Sequence, residues 1–87
     1  MVPVEKPSWR VEFGLRVRAS RDALGWTQEG LGEAAAMHPT YVGDTERGER
    51  NISLDGILRL SKALGVRPGD LLDGLEAEVD IPGRRAR

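Results

Sequence analysis

The sequence has no cysteine and a single histidine, and these two scarcities exclude several classes of function. Without cysteine the chain has neither a disulfide nor a thiolate metal site, and His38 cannot form a metal site alone. No apolar run approaches the roughly 18 residues that a membrane-spanning helix needs. The first ten residues lack the apolar segment of a signal peptide. We therefore expect a cytoplasmic protein without metal, cofactor or membrane contact.

An excess of positive charge is also missing. The chain carries 13 lysines and arginines against 14 acidic residues, for a net charge of −1, and its pI is about 5.8. Strongly basic nucleic-acid-binding domains tend to exceed a pI of about 9. The excess of negative charge lies between residues 26 and 51, which carry five acidic residues and two arginines. This distribution argues against unspecific, salt-driven DNA binding but permits a specific reader with a few well-placed cations.

The length and the residue pattern predict one all-α domain, a compact bundle of five helices. A chain of 87 residues is long enough for one domain and not for two, and no alternating pattern predicts a strand. We expect a flexible leader over residues 1–8, the domain over 9–75 and a flexible tail over 76–87. Three arginines of the tail either add an unspecific DNA contact or are simply solvated: Arg84, Arg85 and Arg87.

The first helix is predicted from Trp9 to Leu24, with Ser8 or a neighbour as its cap. Four residues share one face of this helix at helical spacing: Phe13, Val17, Ser20 and Leu24. Gly25 ends it. Trp26 follows at a corner between two helices, where a large apolar side chain is expected to plug the core.

The second helix is predicted from about Gln28 to Ala35, with Thr27 as its N-cap. Ala36 then occupies the turn, at a point that commonly has a positive φ. Gly32 is expected to allow close approach of the next helix.

The third helix is predicted over about Pro39 to Arg47, because proline suits the first helical position. His38 caps or precedes it. Gly48 ends it with a positive φ. Two short helices joined by a tight turn have the dimensions of a helix-turn-helix unit.

The fourth helix is predicted over Leu54 to Leu64, with Ser53 as its cap and Gly65 at its end. Pro68 begins a short fifth helix. Its leucines exceed what one small core must hide and are expected to serve the core or a partner: Leu71, Leu72 and Leu75.

A run of motifs across roughly residues 11–75 is similar to the lambda-repressor-like helix-turn-helix family, also called the XRE family. Within it, the stretch HPTYVGDTERGERNISL most resembles the small controller proteins of restriction–modification systems. The motifs are Thr27-Gln28-Glu29, Leu31, Tyr41-Val42, Glu46-Arg47-Gly48, Asn51, Leu54, Ala63-Leu64-Gly65-Val66 and Leu71-Leu72.

The resemblance implies a sequence-specific transcription regulator that binds double-stranded DNA as a homodimer on a palindromic operator. The helix around residues 39–47 would lie in the major groove with its N-terminal residues on base edges. It further implies that Arg21 and Glu46 form an internal salt bridge. The residues implied to contact DNA are Thr27, Gln28, His38, Pro39, Thr40, Tyr41, Gly43, Asp44, Arg47, Arg50 and Asn51.

Three positions depart from the family pattern. Pro39 has no donor to offer, and Ala36 replaces the usual turn glycine. Asp44 brings negative charge close to DNA: it accepts a hydrogen bond from cytosine N4, is an ordinary solvated residue, or penalises wrong sequences. Two other positions stay open, since His38 is a cap or a DNA contact, and Tyr41 binds phosphate or packs.

A second function remains open from the sequence. The net negative charge of the predicted helix-turn-helix unit is compatible with a module of the same fold that acts through protein partners, such as an antitoxin or an adaptor. An enzyme is a third and remote hypothesis, because the chain has no nucleophile–base pair and no phosphate-cradling glycine motif.

Overall fold

The computed structural model describes residues 6–78. In it, two short helices meet at a tight turn and pack against three other helices. The segments between the helices have no strand in this part of the chain. The predicted all-α fold of five helices is confirmed. The helices are α1 (Ser8–Ala23), α2 (Gln28–Ala35), α3 (Pro39–Glu46), α4 (Leu54–Leu64) and α5 (Pro68–Leu72).

Two predicted N-caps are confirmed, and both are short hydroxyl side chains. The backbone N–H of Gly30 donates to Thr27 Oγ1 over 3.0 Å, and that of Gly56 donates to Ser53 Oγ over 3.1 Å. These bonds satisfy amide groups that the first helical turn leaves without a partner. The starts of α2 and α4 are therefore determined by local sequence.

Helix α1 begins at Ser8, one residue earlier than predicted, so its cap is a neighbour of Ser8 and not Ser8 itself. Pro7 occupies the cap position, and no side chain caps the helix. The Pro7 carbonyl instead accepts from the N–H groups of Arg10 and Val11, over 3.0 and 3.3 Å. The helix ends at Ala23. The third helix is one residue shorter than predicted, with Arg47 at its C-cap.

The turn between α2 and α3 is tight because one small residue, Ala36, stands in it and another, Gly32 of α2, packs against it. Ala36 adopts the left-handed conformation with φ 56°, as predicted. Gly32 has no room for a side chain, since a Cβ there would lie 2.6 Å from the Met37 carbonyl oxygen. The Met37 N–H donates to the Gly32 carbonyl over 2.7 Å. This close approach, expected from the sequence, fixes how α3 leaves α2.

The core contains residues from every helix and from the loop before α4. Phe13 and Val17 are buried as predicted, whereas Leu24 is 45% exposed. Leu24 is the C-cap of α1 rather than a helical residue, so the helical spacing no longer applies there. Trp26 packs against the core, as expected for a plug. The buried apolar residues are Phe13, Val17, Leu31, Ala35, Val42, Ile52, Leu60, Leu64 and Leu71.

The leucines of α5 do not form the surplus apolar surface that the sequence suggested. Leu71 is buried, and Leu72 and Leu75 are half-buried against the core. The exposed large apolar side chains lie elsewhere: on α4, Leu54 is 67% and Leu58 47% exposed, and on α1, Leu15 is 52% and Val11 38% exposed. An apolar partner surface among residues 6–78 is therefore expected on α4, which carries the most exposed of these residues, or on α1, and not on α5.

The two ends of the described segment contact each other. The N–H and hydroxyl of Ser8 both donate to the Glu78 carboxylate. These bonds lower the pKa of Glu78 below its usual value, with the hydroxyl as the larger cause. Most of the expected leader (1–8) and tail (76–87), including Arg84, Arg85 and Arg87, lies outside the described residues.

Neither a membrane-spanning helix nor a metal site is found in the described part of the chain. No helix there is long and apolar enough to cross a bilayer. No group of three or more histidine, cysteine or acidic side chains could hold a metal ion between residues 6 and 78.

Candidate nucleic-acid interface

The start of α3 is organised by His38. Its Nδ1 accepts the backbone N–H of Thr40 over 3.0 Å, so the imidazole caps the helix. Pro39 takes the first helical position, where a missing N–H costs nothing. His38 and Thr40 are exposed, and Tyr41 is half-buried. Of the two interpretations of His38, the structure shows the cap, and its exposed position leaves a DNA contact available.

The N-terminus of α2 and the outer side of α3 form one open cleft. Thr27 already uses its hydroxyl as the N-cap of α2. Gln28 donates through Nε2 to Glu46 over 3.1 Å, a bond that ties the first residue of α2 to the end of α3. The residues that line the cleft are Gln28, Glu29, Pro39, Thr40, Gly43 and Arg47.

Gly43 lies at the bottom of this cleft and is buried. A Cβ at this position would stand 3.1 Å from both Gln28 Oε1 and Arg47 Nη1. Two polar side chains therefore cover the residue that the sequence placed on the outer face of the helix. In this conformation Gly43 supplies space for its neighbours rather than a surface of its own.

Asp44 is paired with two arginines. Its Oδ1 lies 2.5 Å from Arg47 Nη2, and its Oδ2 lies 3.1 Å from Arg50 Nη2. Arg47 also reaches Glu49, with Nε 2.6 Å from Oε1. We refer to these four residues as the Asp44 network. The carboxylate that the sequence offered as a reader of cytosine is thus occupied by protein partners.

Arg50 has a second contact, and Asn51 faces solvent. The guanidinium carbon of Arg50 stands 4.8 Å from the centroid of the Tyr41 ring, which is within range of a cation–π interaction. Tyr41 therefore packs through its ring face. Asn51 is exposed in the loop after α3.

The predicted salt bridge between Arg21 and Glu46 is confirmed and holds α3 against α1. Arg21 Nε lies 2.6 Å from Glu46 Oε2, and its Nη2 lies 2.9 Å from Oε1. Arg21 Nη1 also donates to the Trp26 carbonyl over 2.7 Å. The side chains are 11% and 3% exposed. The hydrogen bond to Glu46 raises the pKa of Arg21 above its ordinary value.

Sequence reasoning missed two members of this region. Lys6 donates through Nζ to the Arg47 carbonyl over 2.8 Å, at the C-terminus of α3. The sequence suggests only a polar loop at Glu49, yet this residue pairs with Arg47. The signal for Glu49 was its place between two arginines of the unit, whereas nothing in the sequence connects Lys6 with a residue 41 positions away.

Residues 12–75 match the model of a family described as a helix-turn-helix domain. Over 65 residues the chain is 51% identical to the control protein C.BamHI of Bacillus amyloliquefaciens, covering 74% of this chain and 80% of that protein. The restriction-modification controller protein C.AhdI from Aeromonas hydrophila has a similar structure, with a TM-score of 0.72 and 44% identity over 74% of this chain and 97% of that one.

A second structure shows a similar domain in complex with an operator. The P22 c2 repressor in complex with a synthetic operator has a TM-score of 0.67 and 35% identity, covering 71% of this chain and 94% of the repressor chain.

Proposed function

Because this chain belongs to the lambda-repressor-like helix-turn-helix family, whose members include restriction–modification controllers, we propose that α3 enters the major groove of an operator. The chain is a DNA-binding transcription regulator. The observation that supports this docking is the open cleft lined by residues from the N-terminus of α2 and from α3. Family membership favours this function over a protein-interaction module of the same fold. As a DNA-binding regulator, the protein would work in the cytoplasm.

Phosphate contacts would come from both ends of the unit. The N–H groups and partial positive charge at the start of α2 suit an anion beside Thr27 and Gln28. Beyond α3, the cations Arg47 and Arg50 and the amide of Asn51 stand together in the loop. Such contacts position the protein on the duplex without reading its sequence.

Base contacts would come from the N-terminal part of α3, where helix-turn-helix proteins read the groove. Thr40 is the strongest candidate, because its side chain is exposed at the start of the helix and carries a hydroxyl that both donates and accepts. His38 and Tyr41 flank it. Pro39 offers only apolar contact. Gly43 is buried beneath Gln28 and Arg47 and offers no donor of its own.

A second copy of the chain would complete the DNA-binding protein. We place the dimer surface on α4, since Leu54 is the most exposed large apolar residue between residues 6 and 78 and the exposed Leu58 lies one turn from it. A symmetric pair buries the same patch on both subunits. It also presents two copies of α3 about one helical turn of DNA apart. The domain proposed to act as one subunit spans residues 9–75.

One experiment tests the function as a whole: selection from random duplexes with the purified chain. The expected product is an enriched palindromic site with two half-sites separated by about one helical turn, or 10 base pairs. A single enriched half-site would contradict the dimer. A pool without enrichment at low salt would contradict sequence-specific binding itself.

Removing the cations after α3 is expected to weaken binding to every duplex. Arg47→Ala or Arg50→Ala should lower the dependence of log Kd on log salt by about 0.9 for each phosphate that the variant no longer neutralises. Thr40→Ala should leave that slope unchanged and alter preference at one base pair. Titration of operator and scrambled duplexes at several salt concentrations separates the two effects. An unchanged slope in both arginine variants would show that these residues do not bind phosphate.

A further inference from the structure

The two arginines proposed to bind phosphate are already engaged inside the protein. Both oxygens of Asp44 are used, Oδ1 by Arg47 and Oδ2 by Arg50, and Glu49 accepts a hydrogen bond from Arg47 Nε. The hydrogen bond to Glu49 raises the pKa of Arg47 above its ordinary value, and Asp44 adds to this rise. Two cations thus face two anions, and their charges cancel.

The Asp44 network is also accessible to DNA. The side chains of Arg47 and Arg50 are 54% and 46% exposed, and Glu49 is 43% exposed. Asp44 is the most shielded member at 21%. The network borders the cleft on one side, where Arg47 covers Gly43, and the Tyr41 ring on the other. A duplex seated on α3 would meet these carboxylates and guanidinium groups together.

We propose that Asp44 and Glu49 compete with DNA phosphate for Arg47 and Arg50, so that each arginine binds the backbone only by exchanging a carboxylate for a phosphate. The inference rests on the proposed function. Asp44 is then neither a base reader nor an idle surface residue. It limits the affinity for all DNA, so that stable binding depends on the base contacts of a correct operator.

The strength of the network suits this role. An exposed ion pair stabilises by an amount equivalent to about a two- to fivefold change in an equilibrium constant. Phosphate can therefore displace the carboxylates, at a cost in affinity. Asp44 holds two arginines at once, and Glu49 holds one. Removing the charge of Asp44 should have the larger effect of the two.

The test compares Asp44→Asn with the wild type on the selected operator and on an unrelated duplex. Affinity for the unrelated duplex should rise by about 5- to 10-fold, because Arg47 and Arg50 then bind phosphate without first leaving the Asp44 carboxylate. The selected sequence should not change. A thermal melt confirms that the variant is folded.

Glu12→Gln is the matched control, because Glu12 pairs with Arg16 on α1 over 3.0 Å and is 50% exposed. It makes the same change in net charge outside the network and should alter DNA affinity little. An equal gain in this variant would attribute the effect to net charge and overturn the inference. In a background of Arg47→Ala with Arg50→Ala, the gain from Asp44→Asn should largely disappear, since coupled residues are not additive.

Other outcomes are also decisive. Weaker operator binding with an altered preference at one base pair would make Asp44 a base reader. Weaker binding to all duplexes would mean that Asp44 positions the arginines for phosphate. Each contradicts only the competition, because the wild type still selects an operator. A wild type that enriches no sequence would overturn the proposed function along with it.

Discussion

Gly14→Ala is expected to destabilise the domain by about 2–3 kcal/mol through overpacking between helices. A Cβ at Gly14 would overlap the Thr45 carbonyl oxygen and lie 2.5 Å from that of Glu46. Both atoms are backbone, so α1 and α3 themselves must separate. For a domain of this size the loss corresponds to a fall in Tm of roughly 10–20 °C, measurable by thermal unfolding.

Gly30→Ala is the control for this variant. Gly30 also lies in a helix, but a Cβ there would meet its nearest neighbour, Thr27 Oγ1, at an ordinary 3.4 Å. Alanine should stabilise α2 by up to about 1 kcal/mol, because glycine is the poorer helix former. If both variants lost stability equally, a general intolerance of the substitution and not the packing of α1 against α3 would explain the result.

The features predicted well from sequence are those set by a few adjacent residues. Thr27 and Ser53 cap the helices that follow them because their hydroxyl groups reach an amide three residues along. Pro39 begins α3 for an equally local reason. The positive φ of Ala36 follows from the tight turn that the unit requires.

The features predicted badly depend on what packs against a helix. The spacing of the apolar residues in α4 does not predict which of them are buried. Leu54 and Leu58 are exposed, whereas Leu60 and Leu64 are buried. Leu71 appeared surplus because its burial requires the other helices to close over α5. Periodicity identifies an apolar face but not its width, which the neighbouring elements decide.

The candidate site divides in the same way. The family pattern anticipated the Arg21–Glu46 bridge, which joins two helices at fixed positions. The Asp44 network was not anticipated, because its pairs form where the chain turns back after α3 and brings Arg50 beside Asp44. Its members were all visible in the sequence, but their pairing depends on that turn.

Glu46→Gln is expected to have the largest effect on stability, a loss of about 3–5 kcal/mol, because it leaves the nearly buried Arg21 guanidinium with only the exposed Asp22 carboxylate, 3.4 Å away, as a counter-charge. Glu46 accepts from Arg21 through both oxygens and also from Gln28. Chemical denaturation measures the change. The raised pKa of Arg21 means that this stabilisation is present at neutral pH and is lost only as pH rises through that value. Mutation is therefore a better probe than alkaline titration.

A double variant at Glu46 and Arg21 shows whether the loss of stability comes from losing the ion pair or from leaving one charge unpaired. Combining Glu46→Leu with Arg21→Met replaces both ions with apolar side chains, a change that is often neutral or stabilising for buried pairs. The double variant should be more stable than Glu46→Gln by about 1–3 kcal/mol, a range typical of coupling between contacting residues. Part of the cost should remain, since the Trp26 carbonyl loses the N–H of Arg21. A double variant less stable than Glu46→Gln would show that the ion pair itself, and not the avoidance of a lone charge, holds α3 against α1.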